Sequence, residues 1–60
     1  MVSMLKDYEN KILEKVRLDL DSVQFFLILH QKNFALMYLS SAMRELEKLS
    51  KVREMLEEFA

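Results

Sequence analysis

One apolar row constrains this chain more than any other feature. Leu5, Tyr8, Ile12, Val16, Leu20, Val23, Leu27 and His30 advance in steps of three or four residues, and the phase never resets. That spacing follows the helical period of about 3.6 residues. A second row, Ala35, Leu39, Ala42, Leu46, Leu49, Val52, Leu56 and Phe59, steps the same way with a period nearer 3.5. Between the rows stands His30-Gln31-Lys32-Asn33, a polar island in the apolar stretch from Phe25 to Leu39. Two long helices joined by a short turn are the direct reading. Composition closes off the alternatives. The 60 residues include Gly 0 and Pro 0, so tight β-turns lack their usual residues. With 52% hydrophobic and 32% charged residues, the chain also falls outside the disordered class.

The expected fold is therefore all-α and a single domain, an antiparallel two-helix hairpin. Helix 1 is expected over about residues 3–31, the turn at about 31–33 and helix 2 over about 34–59. Asn33 is read as the turn residue, either left-handed at the end of helix 1 or as the N-cap of helix 2. His30 and Lys32 would sit favourably beside the negative end of helix 1. An alternative breaks helix 1 near Asp19–Ser22, where Asp21 and Gln24 have capping-box spacing, and gives a three-helix monomer. The unbroken phase of the first row favours the continuous helix.

A hairpin of this sequence carries a surplus. At about 100° per residue, Leu18, Phe25 and Leu29 stand almost opposite Leu20, Val23 and Leu27, with Phe26 and Ile28 on the flanks between them. Leu36, Met37 and Met43 widen the apolar row of helix 2 near its start. Two opposite apolar faces require two neighbours, and a hairpin supplies one. The expectation is self-association into a four-helix bundle, a homodimer. Its interface would use Leu18, Phe25, Phe26, Ile28, Leu29, Leu36, Met37 and Met43.

Chemistry is sparse by comparison. With Cys 0 and His 1, the sequence offers no nucleophile–base pair, phosphate loop or clustered metal ligands. No enzymatic activity, catalytic residue, metal or cofactor is expected. His30 reads as a turn residue. Glu14, Asp19 and Asp21 read as solvated or helix-capping carboxylates, because Asp19 and Asp21 point about 200° apart. Arg53 falls at a seam position between Leu49 and Leu56, where it would either snorkel outward or reach a carboxylate across the seam such as Glu9. Arg44, Lys48 and Lys51 line one outer face of helix 2 and offer a row of cations to a phosphate backbone. Paired hairpins with RNA on an outer face occur in the plasmid Rop family. This chain resembles that family in architecture alone, and no motif of the family stands in it.

The functional expectation is a small non-enzymatic interaction or assembly protein whose main partner is itself, with another protein as a further partner. A Rop-like nucleic-acid regulator using Arg44, Lys48 and Lys51 is the alternative from another class. A membrane-surface hairpin using Phe25 to Leu29 is a third. A membrane span needs about 20 apolar residues, and Val23 to Leu39 is interrupted by the polar island. No signal peptide is read at the start. The lack of Cys fits a cytoplasmic protein, and the opening Met fits a complete product.

Overall fold

The computed structural model describes residues 1–59. Two helices, α1 over Val2–Ile28 and α2 over Lys32–Phe59, pack against each other as a hairpin. No strand occurs among the described residues. Helix α1 runs through Asp19–Ser22 unbroken, so the three-helix alternative is not the fold. The Ser22 hydroxyl donates to the Leu18 carbonyl at 3.1 Å, a bond that a serine can make without leaving the helix.

The turn lies earlier than the sequence implied, at Leu29–Gln31 rather than 31–33. The His30 N–H donates to Leu27 O at 3.1 Å and the Gln31 N–H to Phe26 O at 2.8 Å. These are the paired bonds of a Schellman motif, with His30 as its left-handed residue at φ 58°. Gln31 at once opens the next helix, its carbonyl accepting from the Ala35 N–H at 3.1 Å. Asn33 is therefore neither the left-handed residue nor the cap; it lies inside α2. Lys32 is the first residue of α2, so it also faces that helix's positive end. Histidine tolerates left-handed backbone better than most side chains, yet it still bears the steric cost that glycine escapes. His30→Gly is expected to stabilise the hairpin by about 0.5–1 kcal/mol, read as a raised urea midpoint. An unchanged or lowered midpoint would count against strain at this position.

The seam between the helices is built by Leu5, Glu9, Ile12, Val16, Asp19, Val23 and Phe26 of α1. From α2 come Ala35, Tyr38, Ala42, Glu45, Leu49, Val52 and Leu56, and all fourteen are buried or half-buried. Both rows alternate steps of three and four, which keeps each on the side of a single neighbour. Ile12, Val16, Ala42, Leu49 and Val52 form the core, with Leu5 and Leu56 packed against it. Near the turn, Ala35 is buried in the seam. Aromatic rings fill one side there: Phe26 stacks on Phe34 at 5.3 Å and on Tyr38 at 5.5 Å.

This seam differs from the expected rows at telling places. Asp19 is 5% exposed while its neighbour Leu20 is 48% exposed. The side chain of Glu45 is 12% exposed while Leu46 is 47% exposed. Likewise Glu9, Phe26 and Tyr38 occupy the seam where Tyr8, Leu27 and Leu39 were expected. Each helix is rolled so that part of its leucine row leaves the seam.

Candidate functional site

The roll gives the hairpin two unlike flanks. On one, Leu13, Leu20 and Leu27 of α1 recur every seventh residue, beside Leu36, Leu39, Met43 and Leu46 of α2. All seven are exposed. Toward the turn this flank hollows into a groove of about 250 Å³ lined by Val23, Leu27, Lys32, Ala35, Leu36 and Leu39. The groove exists because Ala35 is too small to fill the space between the leucines. Asn10, Arg17 and Gln24 border the surface on α1, and Ser40 and Glu47 border it on α2. We refer to it as the leucine flank.

The opposite flank is polar through its middle. Lys15 Nζ donates to Ser41 Oγ at 3.3 Å across the seam and to Asp19 Oδ2 at 3.4 Å within its own helix. The expected row Arg44, Lys48 and Lys51 is exposed here, and the hairpin adds Lys11 and Lys15 of α1 at the same level. Lys48 is partly neutralised by Glu45 at 3.3 Å. This gathering of cations from both helices was missed in the sequence because it needs the pairing register of α1 with α2. Asp7, Glu14, Asp21, Glu47 and Glu54 recur at helical spacing on the backs of the helices, away from the seam. There Glu14 accepts from Arg17 at 3.1 Å, and that bond, with the charges of Glu14 and Asp21, raises the guanidinium above its ordinary pKa.

No protein-family model matches this chain, and neither the curated proteins nor the solved structures provide a match.

The residues expected at an interface divide between these surfaces. Leu36 and Met43 lie on the leucine flank. Leu18, Phe25, Leu29 and Met37 lie on the other flank, toward the turn, where Phe25 meets Phe26 edge-on at 5.2 Å. Ile28 lies on the back of α1, and Phe26 is half-buried in the seam. His30 is the left-handed turn residue, in keeping with its reading as part of the turn. Arg53 Nε donates to Glu9 Oε2 at 3.2 Å, the cross-seam pair anticipated for that position. It is largely exposed, so its contribution is at most about 1 kcal/mol.

Asp19 corrects the sequence reading, which made it solvated or capping. It is buried in the seam, and Lys15 reaches over to meet its carboxylate. A buried carboxylate with one half-exposed partner costs desolvation that the pair recovers only in part. Asp19→Leu is expected to stabilise the chain by about 1–2 kcal/mol, measured as a higher midpoint of thermal unfolding at fixed protein concentration. A drop in stability would mean that the Lys15–Asp19–Ser41 contacts outweigh the cost of burial. Among the described residues, no helix is long and apolar enough to cross a membrane.

Proposed function

We propose that this chain is a non-enzymatic helical assembly module that works as a homo-oligomer, with a second copy of itself as the main partner. The observation that carries this is excess surface. The chain exposes 4930 Å² and is a rod 45 × 14 × 10 Å in extent. A folded monomer of 7.2 kDa is expected to expose about 4,100 Å². The excess, about 800 Å², equals what one partner contributes to a stable protein–protein interface. Its radius of gyration, 13.9 Å, likewise exceeds the roughly 10 Å of a compact domain of this length. Much of the uncovered surface is leucine, methionine and phenylalanine, which water penalises at about 25 cal/mol per Å². Association removes that penalty. Sedimentation equilibrium from micromolar to millimolar concentration tests the reading. A species of twice the 7.2 kDa chain mass is expected, and a folded single chain across the whole range would overturn it.

A second reading, binding of nucleic acid, is favoured by the convergence of Lys11 and Lys15 with Arg44, Lys48 and Lys51 on one flank. A row of cations spanning two helices can follow spaced phosphates, and its affinity would fall steeply with salt. Gel-shift titration of labelled RNA and duplex DNA tests it. Salt-sensitive binding abolished by reversing Arg44, Lys48 and Lys51 to Glu is the expected result; binding that survives the reversal would sink this reading.

A further inference from the structure

We infer that a second copy of this chain seats on the leucine flank, about a two-fold axis that crosses the rod at Leu20. This rests on the self-association proposed above and adds to it the face and the symmetry. Three observations carry it.

The first is the roll of the helices. A hairpin that hid as much apolar surface as it could on itself would turn Leu20 inward and Asp19 outward. The structure does the reverse, and likewise half-buries Glu45 in the seam while exposing Leu46. Both helices present their displaced leucines to the same side, so these leucines form one face, while Leu18, Phe25, Leu29 and Met37 are exposed on the other flank.

The second observation is the symmetry of that face. Phe26 stacks on Phe34 and Tyr38, and Glu9 meets Arg53 farther down the rod. Interpolating between these contacts sets Leu20 level with Ser41 and Ala42. On α1 the row Leu13, Leu20 and Leu27 is centred on Leu20. On α2 the set Leu36, Leu39, Met43 and Leu46 is centred at the same level. The two centres coincide. An axis through this point sets Leu20 against itself and Leu13 against Leu27 of the second copy. It also sets Leu36 against Leu46 and Leu39 against Met43. Such self-complementarity is what an isologous interface requires. An unrelated partner would not need the face to be symmetric.

The third observation is charge. From the level of Leu13 to that of Leu27, roughly 21 Å at about 1.5 Å per residue, the face carries no charged side chain, and Lys32 lines the groove at its turn end. Lys6 and Arg53 share the flank but lie beyond it, toward the open end of the hairpin. An axis along the rod would bring Lys6 toward Arg53 of the second copy. The axis at Leu20 separates these two and sets Lys32 opposite Ser50 of the second copy, about one turn from its Arg53. It also keeps Lys11, Lys15, Arg44, Lys48 and Lys51 on the outside of the assembly.

The test combines two charge variants with one distance. Leu20→Lys sets two unpaired ammonium groups against each other at the axis and is expected to weaken association at least a hundredfold by sedimentation equilibrium. Phe25→Lys, on the opposite flank, is expected to leave association unchanged. Circular dichroism reports whether each variant folds. Because the chain has no Cys, Ser3→Cys gives a single spin-label site without altering the face. Pulsed dipolar spectroscopy should then read about 50 Å between the labels, from a helix rise of about 1.5 Å per residue on either side of the axis. A separation below about 30 Å would mean that the turns lie together and would overturn the axis, even if Leu20→Lys fails to fold. A dimer dissociated by Phe25→Lys and untouched by Leu20→Lys would overturn the face while leaving self-association standing. A folded monomer would overturn both.

Discussion

Ala42→Glu is expected to unfold the hairpin at neutral pH, with a loss of about 3–5 kcal/mol. Ala42 is 2% exposed and belongs to the core of the seam. A longer side chain forces the helices apart, which by itself costs about 1–3 kcal/mol. Its carboxylate would also be desolvated in a seam that already holds Asp19 and Glu45 nearby, so like charges add to the burial cost. A chain of this size has a total stability of about 3–9 kcal/mol, so the loss is comparable to the whole. Ala42→Gln separates the two causes. It carries the same bulk without the charge and should retain part of the helical signal at neutral pH. Helicity by circular dichroism at one fixed protein concentration decides the matter. Equal losses for both variants would show that bulk alone is responsible. A fully helical Ala42→Glu chain would mean that the seam is open to water at this level.

The second large effect is expected at Leu49→Ala, a loss of about 2–3 kcal/mol. Leu49 is buried against Ile12, Val16, Ala42 and Val52, the few residues that make up the core. Truncating a core leucine costs about 2–5 kcal/mol, more where rigid surroundings keep the cavity open. Here the core is one seam thick and borders solvent on the polar flank, so water reaches the gap and the lower half of that range applies. Urea denaturation should show a lower midpoint with an unchanged slope. Because association would add a concentration-dependent term, both chains must be compared at equal concentration. A loss below 1 kcal/mol would place the stabilising contacts outside the hairpin seam.

Several features were legible before any coordinates. The long phase of the first apolar row implied a single α1 through Asp19–Ser22, and of the two readings for Arg53, outward into water or across the seam to Glu9, the structure shows the second. The turn was legible to within two residues. Its detail was not, because a left-handed histidine and a left-handed asparagine are close in energy, and the hydrogen bonds of the last turn chose His30. Asp19 was misread for a different reason. From sequence, Leu20 is the better core residue, and nothing local reports that the helix rolls away from it.

The sequence alone determined the kind of object: two helices, one turn, and more apolar surface than one helical neighbour can cover. Periodicity and the lack of Gly and Pro suffice for that, because they act locally along the chain. Only the tertiary structure decided which residues face inward and which flank each remaining side chain joins. Roll and register are set by the fit between α1 and α2, with the small Ala35 and Ala42 buried in the seam and Lys15 meeting Asp19 and Ser41. A rotation of a fraction of a turn exchanges Asp19 for Leu20 at little cost in local helix energy, so the choice lies in packing between helices, which no single helix encodes.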